Sequence, residues 1–483
     1  MVKSLFPKLA VLCVALLVGG CSMIPPYERP IAPVAADWPM LNGATVLKTS
    51  TSTSTSTPAA DIEWQTFFSD PKLKQLIEVS LNSNRDLQIA VLNIEQARAQ
   101  FQIRRADQLP TVNAALTGSR QPNVNGSGSI SSLYSAGLVV TAYEFDFFGR
   151  VAGLKEAALA QYLATQEGQK IVQLSLIANV ANLYLSIRAD DELLLITQQT
   201  LTTREESLRL SKLRFDNGVS SELDYRQAES LTETARVAMA QLVRQRAFDE
   251  NALTLLVGQH IAPDTLRSLP TEKGLNDLNV MLDVPAGLPS DLLARRPDIR
   301  QAEQQLLAAY ANIGAARAAF FPRISLTSSL GSASSGLAGL FKTGSWGWTL
   351  APQLLLPIFD SGRNTSGLAF ANAGQGVAVA QYEKSIQTAF REVADALASR
   401  STLGEQLRAQ QAQANAESLR FKLSDLRYQN GIASQLDVLD AQRSLFAARQ
   451  AVVQIRLAQL QSQVTLYKAL GGGWKDVAGS TSP

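Results

Sequence analysis

The feature that most constrains this 483-residue sequence is an internal repeat. Three landmarks recur at a spacing of 213 residues: Gly149 returns as Gly362, Asn217 as Asn430, and Gly258 as Gly471. An earlier landmark, Pro110, returns 212 residues later as Pro322. Landmarks on two neighbouring offsets indicate a tandem duplication, so the fold should be built from two copies of one unit.

Each unit has the same predicted order: a helix, two short strands, a very long helix, a tight turn and a second long helix. The first helix should begin at the capping pair Asp70-Pro71 and run to about Ala106. The first unit, 62–258, is predicted to contain a hairpin at 111–145 and helices at 151–216 and 220–258. The second unit, 287–474, is predicted to contain a hairpin at 323–357 and helices at 363–429 and 434–470. A linker at 259–286 joins the units, and a flexible tail occupies 475–483.

The last predicted strand has the clearest alternation. Trp346, Trp348 and Leu350 fall on one face, while Gly347 and Thr349 fall on the other. Alternation that begins with aromatic residues beside a polar loop is typical of a transmembrane β-strand with an interfacial girdle. The same pattern also fits a half-buried strand in a soluble sheet, and this segment alone does not decide between the two.

The long helices are predicted to pack as coiled coils. No proline interrupts residues 123–262, and a continuous helix over 151–215 would be about 98 Å long. Its apolar residues follow heptad spacing, at Leu176, Val180, Leu183, Ile187, Leu194, Leu201, Leu208 and Phe215. This spacing predicts one seam of side chains facing a partner helix.

The N-terminal residues indicate export. Lys3 and Lys8 form a basic region before an apolar stretch from Leu9 to Val18, which is followed by Gly19-Gly20-Cys21. Small residues before this cysteine resemble a bacterial lipobox, which predicts a signal peptide at 1–20, a lipid on Cys21 and an extended tether over 21–61. The alternative is a plain signal peptide cleaved nearby. Beyond residue 21 we find no run approaching the ~20 apolar residues that a membrane-spanning helix needs.

Composition and motifs argue against two other classes of function. The 44 basic and 42 acidic residues leave no basic excess for nucleic acid. The single histidine, His260, has no triad or metal-ligand cluster around it in the sequence, and no nucleotide-binding motif appears. We therefore expect no enzyme activity, and no cofactor or metal apart from the covalent lipid on Cys21.

The strand count predicts an assembly. Four strands per chain leave open edges, and unpaired backbone groups are costly inside a bilayer. If these are membrane strands, three chains would close a twelve-stranded barrel. The predicted fold class is thus mainly α with membrane β, in which a long α-helical coiled-coil barrel continues the trimeric strand barrel.

Several motifs resemble those of the TolC-like outer-membrane efflux channel family, in the lipoprotein branch typified by OprM. They are GLPSDLL at 287–293, RRPDI at 295–299, FFPRI at 320–324, EFDFFGR at 144–150 and LDAQRSL at 439–445. The resemblance spans residues 21–473 and implies a homotrimer in the bacterial outer membrane. It also implies partnership with a periplasmic adaptor and an inner-membrane proton-driven transporter of the resistance-nodulation-division class, with drugs and solvents as cargo.

The resemblance also implies a periplasmic gate near the second turn. It matches Asp440 to the constriction aspartate of the family, Leu436 to the apolar gate residue, and Asp437 to the first aspartate of a pair. Asp437 and Asp440 are three residues apart, so both carboxylates share a helix face, and threefold symmetry would make rings that favour cations. The alternative is that these acids only complement the helix dipole.

The two units are not expected to contribute equally to this gate. The counterparts Leu223 and Asp224 have no second acid after them. Arg214 and Arg427 precede the two turns and are candidates for ion pairs that hold the gate shut, although arginines in a last helical turn are often surface residues. The rival interpretation of the whole chain is a lipid-anchored periplasmic coiled-coil scaffold without a pore.

Overall fold

The structure is a computed structural model that describes residues 22–35, 38, 61–122, 130–262, 275, 281 and 289–473. The predicted signal peptide, Cys21, most of the tether and of the linker, and the C-terminal tail lie outside the described residues. The predicted fold class, mainly α with a few strands and a repeated unit, is confirmed.

The described helices and strands follow the same order in both repeats. The helices are α1 Trp64–Phe67, α2 Pro71–Ser83, α3 Arg85–Ala106, α4 Arg150–Asp216, α5 Glu222–Val257, α6 Pro289–Arg295, α7 Pro297–Ala318, α8 Arg363–Gln429 and α9 Gln435–Ala469. The strands are β1 Val112–Pro122, β2 Ile130–Phe145, β3 Arg323–Ser334 and β4 Trp346–Leu355. Helices α4 and α8 are each 67 residues long.

The first helix of each repeat is interrupted, which the sequence patterns did not indicate. Asp70 does cap α2, because its Oδ1 accepts from the backbone N–H of Lys72 at 2.8 Å. The helix then ends at Asn84, whose Oδ1 caps α3 and whose Nδ2 donates to the carbonyl of Leu256 at 2.9 Å. In the second repeat Arg296 separates α6 from α7 and donates to the carbonyl of Ala469 at 2.7 Å. Each break is thus held by a contact with the end of a helix far along the chain.

The four strands form one antiparallel sheet in the order β1-β2-β3-β4. Paired residues lie on the same face of a sheet, and the register therefore separates two faces. One face is apolar and exposed, and it includes Leu116, Leu138, Leu330, Trp348 and Leu350. The other face carries small and polar residues, among them Asn113, Thr117, Ser135, Ser329 and Thr349. The hydroxyls of Thr117 and Ser135 lie 2.6 Å apart there.

A β-bulge near the end of β2 preserves this division. The register with β3 shifts between Val140 and Tyr143, and Ala142 has a φ of 51°. Before the shift even-numbered residues face the apolar side, whereas after it Tyr143 and Phe145 do. Glu144 consequently falls on the polar face, where it binds Arg150 and Arg323.

The chain forms two compact units, and each contains segments of both repeats. The first unit contains the sheet, Leu92–Gln166 and Gln301–Lys384, with Tyr382 and Ile313 among its buried residues. The second unit contains Pro33–Val91, Glu167–Arg300 and Ser385–Pro483. In its core Phe67 stacks on Tyr467 with ring centroids 3.9 Å apart.

One described helix, α4, contains a window that is apolar and long enough to cross a membrane by composition alone. This differs from the expectation that no such run follows residue 21. Within that window 56% of the residues are buried inside the protein, as in the core helix of a soluble domain. We therefore treat α4 as a packed helix.

Within the chain, the predicted apolar seam of α4 is buried in its first half and only partly covered in its second half. Val180 and Ile187 are fully buried, but Leu194, Leu201 and Leu208 are only half-buried and Phe215 is exposed. Over that second half the buried heptad positions are polar instead, at Thr197, Arg204 and Ser211. Packing inside one chain therefore uses the polar stripe and leaves much of the apolar stripe accessible.

Candidate functional site at the helix turns

The two turns between long helices have the same backbone geometry. Gly218 and Gly431 adopt left-handed φ values of 70° and 75°, which only glycine adopts without strain. The N–H of Val219 donates to the carbonyl of Arg214 at 2.9 Å, and the N–H of Ile432 donates to that of Arg427 at 2.8 Å. Such bonds close the end of each preceding helix and reverse the chain.

Both following helices begin with a capping box. In α5 Ser221 and Asp224 exchange side-chain and backbone hydrogen bonds, and in α9 Ser434 and Asp437 do the same. The Ser434 hydroxyl donates to Asp437 at 2.8 Å and lowers the pKa of this carboxyl. The Ser221 hydroxyl likewise lowers the pKa of Asp224. Asp437 and Asp224 thus occupy equivalent positions and are both engaged at a helix start.

Asp440 is in a different environment from Asp437. Its carboxylate binds the guanidinium of Arg443 on the same helix and that of Arg420 on α8, the latter at 2.5 Å. Arg443 and then Arg420 lower the pKa of Asp440. Arg420 also contacts Glu417 at 3.1 Å. We call Arg420, Asp440 and Arg443 the ionic cluster.

The first repeat has no counterpart of the ionic cluster. At the offset of 213 residues, Arg420, Asp440 and Arg443 correspond to Ser207, Gln227 and Ser230. All three charges are therefore replaced by neutral polar side chains. The Gln227 Oε1 is buried without a hydrogen-bond donor in the described part of the chain.

The first repeat is instead held by a buried arginine. Arg204 on α4 is 2% exposed, donates to the carbonyl of Leu231 on α5 at 2.8 Å and lies over the ring of Phe446 on α9. Burial, and then the nearby Arg443, lower the pKa of Arg204. Its Nε finds no acceptor among the described residues. The Thr232 hydroxyl shares its hydrogen between the carbonyl of Ala228 at 2.9 Å and that of Arg204 at 3.2 Å, which adds a second polar contact between the two helices.

The two candidate lock arginines are placed differently from each other. Arg214 donates to the hydroxyl of Tyr428 and stacks on its ring at 5.3 Å. Neither Arg214 nor Arg427 forms an ion pair with a carboxylate within the described part of the chain. The candidate gate leucines, Leu223 and Leu436, are both exposed. Cys21 lies outside the described residues.

Sequence reasoning missed Arg420 and Arg443 as partners of Asp440. Arg443 follows Asp440 by three residues on one helix, a spacing that predicts an ion pair. Arg420 and Asp440 are each ten residues from Asn430. Their equal distance from the turn places them opposite each other in the helical hairpin. This equal spacing is the sequence signal that predicts their ion pair.

Comparison with known proteins gives a consistent result. The family model described as outer membrane efflux protein matches residues 76–259 and 288–472. The toluene efflux pump outer membrane protein TtgC of Pseudomonas putida is 47% identical over 487 residues, covering 100% of this chain and 98% of that protein. The outer membrane protein OprJ of Pseudomonas aeruginosa is 43% identical, covering 96% of this chain and 95% of OprJ.

Two solved structures extend the comparison to the fold. The open-state outer membrane channel MtrE of Neisseria gonorrhoeae superimposes with a TM-score of 0.83 at 41% identity, covering 94% of this chain and 99% of MtrE. The outer membrane channel CmeC of Campylobacter jejuni gives a TM-score of 0.80 at 25% identity, covering 94% and 95%.

Proposed function

The chain belongs to the outer membrane efflux protein family, and from this premise we propose that it is the outer-membrane exit channel of a tripartite pump that expels drugs and solvents. The relatives are named as efflux proteins for toluene, other solvents and antibiotics. The channel is a homotrimer that opens passively when a periplasmic adaptor and an inner-membrane proton-driven transporter dock. No reaction is assigned to it, and its one non-protein group is the lipid on Cys21.

The observation that carries the proposal is the two-faced sheet. Its apolar face exposes large side chains, such as Leu116 and Trp348 at 73% each. Its other face is small and polar, and among the described strands β1 and β4 are each paired on one side only. An apolar outer face with a polar inner face is the pattern of a transmembrane barrel, and open edges are not tolerated in a bilayer. Three copies supply the twelve strands that close it.

The stripe of apolar residues on α4 supports the same assembly. Leu201, Leu208 and Phe215 keep heptad spacing but are only partly covered by the chain's own helices. Heptad positions of this kind pack against another helix. A neighbouring copy of the chain is the partner that the trimer provides.

The N-terminal segment supports a lipid anchor beside the sheet. The Tyr27 hydroxyl donates to Glu303 at 2.9 Å, and Arg29 binds the same carboxylate at 2.7 Å. Ile24 packs on Gly314, where a Cβ would come within 2.5 Å of its Cγ1. The segment therefore follows α7 toward the end that leads into β3, so a lipid on Cys21 would enter the membrane next to the barrel.

The helix turns supply the gate in this proposal. Leu436, Asp437 and Asp440 of the second repeat, together with Leu223 and Asp224 of the first, form rings at the periplasmic end of the trimer. Arg214 and Arg427 stand beside the same opening. This assignment is supported by the capping boxes, which hold Asp437 and Asp224 at the starts of their helices. It is also supported by the ionic cluster, in which Arg420 ties Asp440 to α8.

Single-channel recording tests the proposal. The purified full-length protein in a planar bilayer should conduct, and Asp437→Ala with Asp440→Ala should raise the conductance and weaken block by multivalent cations. The matched control is Asp224→Ala with Gln227→Ala, which alters the same positions of the first repeat and should change conductance less. A protein that inserts without conducting would favour the scaffold, and equal effects of both variants would refute the assignment of the gate to the second repeat.

A further inference from the structure

A second group of carboxylates lies away from the turns, where α4 packs on α5. Asp190 on α4 is 7% exposed, and its Oδ2 is buried without any hydrogen-bond donor among the described residues. Asp249 lies on the facing helix α5, where Arg246, three residues before it, binds Asp191 at 2.6 Å, and the nearby Asp249 carboxyl raises the pKa of Asp190 after burial does. Two neighbouring carboxylates, one buried and the other half-buried, cannot both remain ionised at little cost.

The neighbouring cation does not neutralise this pair. Arg246 donates to Asp191 at 2.6 Å and to Glu250 at 2.6 Å, so its guanidinium is already shared between two other carboxylates. Gln245 donates to Oδ1 of Asp249 at 3.1 Å. Asp190 itself takes part in none of the ion pairs found in the described part of the chain.

The charged groups around Asp190 can be assigned element by element. Asp191 and Glu192 on α4 are partners of Arg246 and of the backbone N–H of Leu275, respectively. On α5 the facing groups are Arg246, Asp249 and Glu250. Arg456 on α9 donates to Gln459 at 2.6 Å, and burial lowers its pKa while the nearby Glu192 acts in the opposite direction. Negative charge therefore exceeds positive charge at this contact.

We propose that Asp190 and Asp249 form a proton-binding site, in which one proton shared by the two carboxyl groups holds α4 against α5. The shared proton supplies the donor that Oδ2 of Asp190 lacks. The site belongs to the first repeat alone, because its counterparts in the second repeat are Leu403 and Ser462. Loss of the proton leaves the buried negative charge of Asp190 beside the half-buried one of Asp249 and loosens the helix pair.

The direction of the pH effect follows from the environment. Burial, and then Asp249, raise the pKa of Asp190 from 3.8 to about 7. The folded protein therefore keeps a proton between pH 3.8 and about 7 that the unfolded chain has released. Stability from this site is full below the lower value and is lost as the pH rises through the upper one. The helix pair is tightest under mildly acidic conditions and loosest above neutral pH.

The experiment compares the melting temperature of the trimer across this range in full-length protein. Wild-type protein should lose thermal stability as the pH rises through neutrality, and Asp190→Asn should flatten that slope and be the more stable protein above neutral pH. Asp249→Asn should flatten the pH dependence of thermal stability in part, and it replaces Asp190→Asn in the test if that variant folds poorly. The matched control is Asp395→Asn, which removes an exposed carboxylate from α8 and should leave the slope unchanged.

Infrared difference spectroscopy gives an independent readout of the proton. A protonated carboxyl band that titrates near neutral pH and disappears in Asp190→Asn is the expected result. The proposal is overturned if Asp190→Asn keeps the wild-type slope, if the control flattens it equally, or if the only carboxyl bands titrate near the ordinary aspartate value of about 3.9.

Discussion

The helical hairpins of the two repeats share their backbone but differ in what holds them together. Both have a left-handed glycine at the turn and a Ser-Asp capping box after it. The first hairpin is then fastened by a buried guanidinium, that of Arg204, bound to a backbone carbonyl and an aromatic ring. The second is fastened at its surface by the ionic cluster. Duplication has kept the geometry of the turn while the chemistry that secures it has diverged.

This difference has a physical consequence for opening. Surface ion pairs contribute little stability and are screened by salt. A buried arginine bonded inside a packed interface cannot be released without leaving its partners unsatisfied. We therefore expect the second hairpin to be the one that moves and the first to remain in place.

The largest effect is expected from giving the second hairpin the chemistry of the first. Arg420→Ser, Asp440→Gln and Arg443→Ser combined remove the ionic cluster, and single-channel conductance at low salt should rise several-fold. The dependence of gating on salt should weaken at the same time, because the screened contacts are gone. Conductance equal to wild type at all salt concentrations would show that the cluster does not restrain the hairpin.

The reciprocal variant is the control for that prediction. Ser207→Arg, Gln227→Asp and Ser230→Arg place the same three charges on the first hairpin. If the first hairpin is already fixed by Arg204, these substitutions should leave conductance close to wild type. A strong closing effect would show instead that both hairpins move.

The next largest effect concerns the buried arginine. Arg204→Ala should destabilise the protein by about 2 kcal/mol, because the carbonyl of Leu231 loses a charged donor and a cavity forms beside Phe446. Thermal unfolding of the purified protein measures the change. The counterpart of Arg204 in the second repeat is the half-buried Glu417, and Glu417→Ala should cost clearly less; equal losses would contradict the division between a buried and a surface fastening.

Smaller and equal effects are expected from the two caps. Ser221→Ala and Ser434→Ala each remove the hydroxyl that accepts from the N3 backbone N–H, at a cost of about 1 kcal/mol. Thermal unfolding should show matching losses, since the capping boxes have the same geometry. A much larger loss for one of them would mean that its cap has a second role in the assembled channel.

The smallest effect separates the two arginines before the turns. Arg214→Ala removes the stacking on Tyr428 and should lower stability by about 0.5 kcal/mol. Arg427→Ala removes no ion pair found within the described part of the chain. It should therefore lower stability less than Arg214→Ala does. An increase in conductance with Arg427→Ala that exceeds the effect of Arg214→Ala would indicate an ion pair between subunits.

Local signals explain which parts of this structure can be predicted from sequence. Asn217-Gly218 and Asn430-Gly431 mark the turns because a left-handed residue is needed there, and the alternation of β4 marks its apolar face. The interruptions at Asn84 and Arg296 were not predictable in this way. Asn84 binds a carbonyl 172 residues away and Arg296 binds one 173 residues away, and no local sequence pattern predicts contacts over such distances.

The candidate site shows the same limit. Asp437 was correctly placed at a helix start, but its identity as a capping residue equivalent to Asp224 needed the hydrogen-bond geometry. The polar heptad Thr197, Arg204 and Ser211 was hidden because apolar residues occupy a competing heptad on the same helix. Periodicity identifies a stripe, and only the fold decides which stripe faces its own chain.

The bulge in β2 determines which face of the sheet each later residue of the strand occupies. Because one extra residue at Thr141–Ala142 changes which side chains point to which face, a further insertion or deletion between Val140 and Tyr143 would turn Glu144 to the apolar face and Phe145 to the polar face. Length changes in this segment should therefore be tolerated only in compensating pairs. The separation of the two faces therefore depends on the number of residues in this segment, and the bulge supplies the one-residue shift that the paired strands contain.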